Sequence, residues 1–243
     1  MISRYASVCS VLGLTAAPVV LAVPADVSPV EAAEGVVERV TPSAKGAVSF
    51  KLNPALQNRI TISGIPGSIR VEASDVRHLI AGYGWYLKNI AKVHLSWNGN
   101  RLALPSPLPA PARPVTIESP WKTVFAYNYC TLSYTTAFWD WKRWQQEIDF
   151  LALNGFTHAL VTAGLEKTWE DFLIGLGYPR DKAIRFIPNP AFAAWWNMGN
   201  LEGHGGPLSQ RQIDRMAQLG KRIVSRMAVS YTHLRAHETD QYL

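Results

Sequence analysis

The sequence predicts an α/β protein built in two parts. Short segments rich in valine, isoleucine and phenylalanine alternate with segments whose apolar residues recur at helical spacing. A run of prolines near the middle of the chain separates two such series. Hydrophobic residues make up 48% of the 243 residues and charged residues only 17%, which excludes a disordered chain. The length suffices for two small domains, or for one domain and a piece of another.

The first 25 residues are typical of a secretory signal peptide. They carry one charge, Arg4, before an apolar stretch from about Tyr5 to Ala22. Cleavage near Ala22 or Ala25 would yield a secreted or periplasmic protein. The alternative is a membrane anchor, but Pro18 interrupts the stretch, which is also shorter than the ~20 apolar residues that a span needs. We therefore expect no membrane span in the mature chain.

Charge and cysteine content exclude several classes of protein. The formal net charge of +6 is spread along the chain without a run of basic residues, which gives no support to nucleic-acid binding. Cleavage of the signal peptide would remove Cys9 and leave Cys130 without an intrachain disulfide. His204 has no second histidine or cysteine at metal-ligand spacing, and nucleotide-binding glycine patterns are lacking. We expect no metal and no cofactor.

Residues 47–104 are predicted to form a small α/β domain. The predicted strands are 47–52, 59–62 and 68–73. A helix capped by Ser74 is expected to run to about Ala91. Within it, Gly82 and Gly84 lower helix propensity and would permit close packing.

The ends of this domain are predicted from turn and proline signals. Asn98-Gly99 suits the turn of a hairpin between 93–97 and 101–104. Residues 26–46 are expected to be a leader or linker, and the proline-rich segment 105–120 an extended linker at the domain boundary. The first domain contains no catalytic constellation, so a packing role is expected for it.

The second domain, residues 121–227, is predicted to alternate strands and helices. The predicted strands are 123–127 and 158–162, and the predicted helices are 137–153, 166–176, 181–187, 191–196 and one from Ser209 to about Met227. This alternation indicates parallel strands. In barrels of this kind the loops that follow the strands carry the chemistry, which makes 128–134 the first candidate site.

Several side chains near the predicted strand ends are candidates for binding. The amide of Asn128 suits a hydroxyl or acetamido group. Cys130 is either a nucleophile or a small packed residue, and no cysteine-enzyme pattern accompanies it. Either Trp195 or Trp196 could stack on a sugar ring.

Other candidates are expected to be structural. The tryptophans at 139, 141 and 144 fall on the predicted helix 137–153 and are interpreted as core residues. His158 is expected to pack within its strand. Glu166 and Glu202 are interpreted as solvated surface charges rather than as an acid–base pair.

The segment 127–160 resembles the α-N-acetylglucosaminidase family, glycoside hydrolase family 89. The shared residues are Asn128, Cys130, Thr131, Ser133 and Tyr134, then Trp139-Asp140-Trp141, Glu147-Ile148-Asp149 and Ala152-Leu153-Asn154-Gly155. Residues 190–208 resemble a later stretch of the same family, and 59–120 resemble its small N-terminal domain. The resemblance covers roughly 47–227.

The resemblance implies an exo-acting, retaining hydrolase that removes terminal α-linked N-acetylglucosamine from glycans. It also implies a TIM-type (β/α)₈ barrel with two catalytic glutamates. Carried over by motif, Asn128, Cys130 and Trp195 would contact the sugar, and Tyr134 would lie near the pocket. The catalytic glutamates match no motif in this chain and are expected further along the family's barrel.

The chain is expected to be an N-terminal fragment of such an enzyme and to be inactive by itself. Only 121 residues follow Lys122, whereas a full barrel needs about 250. Residues 228–243 resemble translated adapter sequence and are expected to be a non-native tail. The alternatives are a non-catalytic carbohydrate-binding or scaffold protein on a related barrel, and another barrel glycosidase such as a β-hexosaminidase relative.

Overall fold

The computed structural model describes residues 27–202 and 206–230. The predicted signal peptide, His204 and residues 231–243 of the predicted tail lie outside the described residues. Residues 228–230 continue the last helix.

The chain begins, in its described part, with a helix that the sequence analysis missed. Helix α1 spans Pro29–Val40, within the segment expected to be a leader or linker. Ser28 and Glu31 form a reciprocal capping box at its start. Ala32, Ala33, Val36 and Val37 are buried along one face, and this spacing is itself a helical signal.

The first domain contains a four-stranded sheet in the order β1-β3-β2-β4. The strands are β1 (Val48–Leu52), β2 (Arg59–Ile65), β3 (Ser68–Ala73) and β4 (Val115–Glu118). Strand β3 is parallel to β1 and antiparallel to β2, which also pairs antiparallel with β4. The second half of the proline-rich segment is therefore extended, as predicted, but contributes an edge strand to the sheet rather than acting only as a linker.

Helix α2 spans Val76–Asn89 and packs on this sheet. Its N-cap is Asp75 rather than the predicted Ser74, because an Asp75 carboxylate oxygen accepts the backbone N–H of His78 at 2.9 Å. The predicted hairpin after it is reduced to a single antiparallel bridge between His94 and Arg101.

The second domain places two short parallel strands side by side. Strands β5 (Phe125–Ala126) and β6 (His158–Ala159) pair in register. Ala126 and Ala159 are buried against the helices, whereas Phe125 is 55% exposed and stacks on His158. The packed position of His158 agrees with its predicted role.

The described part of the second domain also contains five α-helices. They are α3 (Trp141–Leu153), α4 (Leu165–Gly175), α5 (Arg180–Phe186), α6 (Pro190–Asn197) and α7 (Gln210–Ser230). Helix α3 begins four residues later than predicted, because Asp140 is its N-cap and the Asp140 carboxylate accepts the backbone N–H of Arg143. Trp139 therefore precedes the helix. It packs edge-to-face against the buried Trp144, which agrees with a structural role for this group of tryptophans.

The two domains share one hydrophobic core. The larger of the two clusters of buried apolar residues in the described chain runs from α1 through the sheet and α2 to α3, β5 and α7. The smaller cluster lies between α4, α5 and the start of α7. Helices α2 and α3 approach so closely that a Cβ atom built on Gly84 would lie 1.9 Å from the carbonyl oxygen of Leu153. The close packing expected from this glycine is confirmed at the junction of the domains.

A buried carboxylate reinforces the same junction. The Asp149 side chain on α3 accepts two hydrogen bonds from Arg39 of α1, both 2.9 Å long, and one from Arg226 of α7 at 3.1 Å. Three helices distant in sequence therefore meet at one ionic group. Among the described residues, no helix combines the length and the apolar character that crossing a membrane requires.

Candidate functional site

The loop after β5 starts with a strained residue. Tyr127 has a φ of 73°, in the left-handed region that non-glycine residues rarely occupy. Such strain is concentrated at functional sites. The turn directs the following residue, Asn128, away from the strand at its carboxyl end, where barrels place ligand-binding groups.

Asn128 organises the loop through its side-chain oxygen. Asn128 Oδ1 accepts hydrogen bonds of 3.1 Å from the backbone N–H of Thr131, the hydroxyl of Thr131 and the hydroxyl of Tyr134. In the described part of the chain its Nδ2 makes no hydrogen bond, and the residue is exposed. The amide therefore offers two N–H donors to a ligand while its oxygen holds the loop.

Cys130 and Tyr134 lie in the same loop. Cys130 is a free thiol, half-buried, and its carbonyl oxygen accepts the N–H of Ser133 at 3.0 Å. The Tyr134 ring is 59% exposed although its hydroxyl is bound to Asn128. The predicted loop is partly helical, because Leu132–Thr136 forms a π-helical turn.

A buried serine joins this loop to the helix that carries Trp195. The hydroxyl of Ser133 donates to the carbonyl oxygen of Pro190 at 2.9 Å and accepts the N–H of Ala194 at 3.0 Å. Helix α6 is thereby fixed against the π-helical turn, with half-buried Trp195 directly after the bonded residue. The structure thus brings the elements that carry Asn128, Cys130, Tyr134 and Trp195 together.

The two adjacent tryptophans have different surroundings. Trp196 packs edge-to-face against Trp169 and Phe186, with ring centroids 4.8 Å and 5.3 Å away. Trp169 Nε1 also donates to Asn197 at 2.7 Å. Trp196 therefore belongs to an aromatic cluster between α4, α5 and α6, which leaves Trp195 as the candidate for stacking.

The interpretation of Glu166 as a solvated charge is wrong. Glu166 lies in the first turn of α4, just after β6, and is only 3% exposed. Its Oε2 accepts the N–H of Gly164 at 3.1 Å, but Oε1 has no hydrogen-bond partner within the described residues. Burial raises the pKa of this carboxyl. Its sequence position, seven residues after β6 ends, carried no signal that it is buried.

Glu166 lines a small cavity behind the candidate site. The other lining residues include Leu132, Thr162, Trp169, Trp196 and Asn197. The cavity is too small for a sugar, so Glu166 is a neighbour of the site rather than part of its open face. Glu202, in contrast, is exposed as predicted.

Glu147 is buried for a structural reason. It accepts hydrogen bonds from Trp97 and Arg143, at 3.2 Å and 2.9 Å, and from the hydroxyl of Tyr127. Both carboxylate oxygens are therefore occupied, which agrees with leaving Glu147 out of the catalytic assignment.

The candidate site offers an amide, a thiol, a phenol and an indole, which suits a neutral hydroxylated ligand. Within residues 27–202 and 206–230, no cluster of histidine, cysteine, aspartate or glutamate is arranged to hold a metal ion. The role of Asn128, Cys130, Tyr134 and Trp195 in binding remains a prediction.

Two family models match the chain. The Alpha-N-acetylglucosaminidase (NAGLU) N-terminal domain matches residues 31–110, and the Alpha-N-acetylglucosaminidase (NAGLU) tim-barrel domain matches residues 124–230. The second match runs three residues into the predicted non-native tail. The molecule is thus a small α/β domain followed by part of a TIM barrel of the glycoside hydrolase class. The chain belongs to the α-N-acetylglucosaminidase family, glycoside hydrolase family 89.

Similar proteins are known from human and from a bacterium. The chain is 36% identical over 174 residues to human α-N-acetylglucosaminidase, a match that covers 72% of this chain and 23% of the human protein. A family 89 glycoside hydrolase from Clostridium perfringens, solved with 2-acetamido-1,2-dideoxynojirimycin, is 29% identical with a TM-score of 0.78. That match covers 84% of this chain and 24% of the bacterial chain.

A second structure of the bacterial enzyme, equally similar, has two glutamates replaced by glutamine and is in complex with its substrate GlcNAc-α-1,4-galactose. The chain described here therefore spans about a quarter of the length of the relatives it matches.

Proposed function

We propose that this chain is the N-terminal part of a glycoside hydrolase that removes terminal α-linked N-acetylglucosamine from glycans. The observation that supports it most is that the Asn128 loop and helix α6 are joined by Ser133 at one end of the barrel strands. Support comes from this bridge, which joins the loop that carries the Asn128 amide to the helix that carries the Trp195 indole, and from the structural likeness to enzymes solved with related ligands.

In this proposal the chain's own residues hold the sugar. The free Nδ2 of Asn128 donates to the acetamido carbonyl or a hydroxyl oxygen, and Trp195 presents an apolar face to the ring. Cys130 and Tyr134 lie in the same loop as Asn128. The hydrogen bonds that Asn128 Oδ1 accepts within the loop stay intact, so the loop needs no rearrangement to receive the ligand.

The bond cleavage itself would be carried out by two glutamates in the part of the relatives' length that this chain does not match. A retaining mechanism places a nucleophile and an acid/base about 5 Å apart. Export is supported by the signal-like first 25 residues, which would bring the enzyme to glycans in the periplasm or outside the cell.

The experiment that tests the proposal compares the chain with the extended gene. The chain alone should bind N-acetylglucosamine without hydrolysing a chromogenic α-N-acetylglucosaminide, because the two glutamates are absent. The extended protein should cleave the α-linked substrate and leave the β-linked one intact. Turnover by the chain alone, or preference for the β-linkage, would overturn the proposal.

A non-catalytic carbohydrate-binding protein is the second candidate. It is favoured by one observation: in the described residues the site combines an amide and aromatic rings without a pair of facing carboxylates. Reading the gene beyond codon 227 distinguishes the two, because only the hydrolase requires two further glutamates on barrel strands.

A further inference from the structure

A separate pocket lies where the turn of residues 95–100 packs on α3. It has a volume of about 170 Å³ and includes Trp97, Asn100, Arg143, Gln146 and Glu147 in its lining. None of its lining residues belongs to the 128–134 loop or to α6. The pocket therefore lies outside the candidate site described above, and the proposed hydrolysis does not use it.

The Trp97 indole is held firmly at one edge and open at another. Its Nε1 donates to the buried carboxylate of Glu147 at 3.2 Å, and its ring packs edge-to-face on Trp139 with centroids 6.1 Å apart. Even so, 53% of Trp97 is exposed. A fixed, half-open indole loses little conformational entropy when a ligand covers it.

The charges of the pocket cancel. Arg143 and Glu147 are paired at 2.9 Å, and the Arg143 guanidinium lies over the Trp139 ring at 3.8 Å from its centroid. Among the described residues that line the pocket, the one cation and the one anion are therefore paired with each other. Such a lining favours a neutral ligand over an anionic or a cationic one.

Two neutral amides complete the pocket. Asn100 Oδ1 accepts the backbone N–H of Ser96 at 3.1 Å. This hydrogen bond holds the side chain in the turn and leaves its NH₂ group to donate to a ligand. Gln146 is exposed, and within the described residues its amide makes no hydrogen bond. Amides that donate and accept are suited to sugar hydroxyls, which also do both.

We propose that this pocket is a surface site for a single pyranose ring of a neutral glycan. The Trp97 indole would receive the apolar face of the ring, while Asn100 and Gln146 would bind its hydroxyls. The volume is below the roughly 300 Å³ of a pocket that encloses a whole drug-sized ligand, so neighbouring sugars would extend into solvent. Such a site would retain a glycan beside the molecule whether or not the chain hydrolyses it.

The test is a titration of the whole chain followed by NMR, with the indole N–H signals assigned by single substitutions. Galactose and N-acetylglucosamine should shift the Trp97 indole signal saturably, with a Kd on the order of 1 mM or higher. Glucuronate, an anionic sugar, should shift it less. Gln146→Ala removes an exposed side chain that makes no hydrogen bond within the described residues, so the fold should be kept while binding weakens severalfold.

Three further variants complete the experiment. Trp97→Phe removes the indole signal, so its binding is followed at the Asn100 side-chain amide, and it should weaken about tenfold. Trp121→Phe should not weaken binding, although Trp121 is 71% exposed. Asn128→Asp should leave the Trp97 shift unchanged, which separates this site from the proposed hydrolase site. A shift that does not saturate, or an affinity that Gln146→Ala and Trp97→Phe both leave unaltered, would overturn the proposal.

Discussion

Asn128 uses the two ends of its amide differently. Its oxygen holds the loop through Thr131 and Tyr134, and its nitrogen faces solvent. Alanine substitution would remove both functions together, and the loss of the loop's hydrogen bonds would cost about 1–2 kcal/mol of stability. A substitution that keeps the oxygen is therefore the more informative one.

Asn128→Asp retains a side-chain oxygen of the same shape and replaces the Nδ2 donor with a second, negatively charged carboxylate oxygen. We expect its melting temperature to stay close to that of the original chain, while N-acetylglucosamine binding falls about tenfold or more because a donor to the sugar is lost. Thermal melts and a binding titration measure the two effects. Unchanged binding with a large drop in melting temperature would make Asn128 a structural residue.

The buried carboxylate of Asp149 predicts a pH dependence. Burial raises its pKa to about 6, although Arg39 opposes the shift. An unfolded aspartate has a pKa near 3.9, so between about pH 4 and 6 the folded chain holds a proton that the unfolded chain has lost. The contribution of Asp149 to stability therefore falls as pH rises through this range, by on the order of 3 kcal/mol in total.

Asp149→Asn is the matched variant, since it cannot ionise. We expect the free energy of unfolding of the original chain, relative to that of Asp149→Asn, to decrease from pH 4 to pH 7. Urea titrations at each pH give this difference. An increase with pH would mean that the arginine pairs outweigh the cost of burying the charge.

At the scale of elements, the contact between α2 and α3 sets how the domains fit. A methyl group at Gly84 cannot be placed 1.9 Å from the Leu153 carbonyl oxygen, so the two helices would have to separate. We expect Gly84→Ala to lower the free energy of unfolding by about 3 kcal/mol, measured by urea denaturation.

Gly175→Ala provides the control, because it is also helical and nothing lies within 4 Å of its added methyl group. This variant should gain up to about 1 kcal/mol from helix propensity. Equal changes in the two variants would show that propensity, rather than the helix contact, governs position 84.

Elements with a strong local signal were predictable from the sequence. Strand β3 agrees with its predicted bounds and α2 nearly so, because alternation and helical spacing are properties of a short window. Helix α1 also had such a signal, the Ser28–Glu31 capping box, but its alanine-rich composition resembled a linker. Strand β4 had only the short β-branched run Val115–Ile117 within the proline-rich segment, and it is stabilised by pairing with β2, more than 50 residues earlier.

The site was also predictable only in part, because contacts between residues distant in sequence have no local signal. The family motif points to Asn128 and Cys130, yet the Ser133 hydrogen bonds that join them to α6 span 57 and 61 residues. The burial of Glu166 likewise depends on long-range packing, because α7 packs against α4 and side chains of α6 border the same small cavity, and no local pattern reports those contacts.

At the scale of the whole molecule, the shared core predicts that the domains unfold together. Far-ultraviolet circular dichroism and tryptophan fluorescence should give one coincident transition. Residues 121–227 alone should lack a sharp transition, because they would lose the α1 and α2 contacts and leave the β5–β6 edges unpaired. Separate transitions in the whole chain, or a cooperative melt of the fragment, would contradict this.

The contact between Gly84 and Leu153 also bears on synthesis at the ribosome. The surface of α2 that receives α3 is translated about 70 residues before its partner. At roughly 5–20 residues per second, that surface stays uncovered for several seconds after it leaves the exit tunnel. During this interval the face of α2 that α3 will cover is open to chaperones, and the contact between the two helices forms only after α3 emerges.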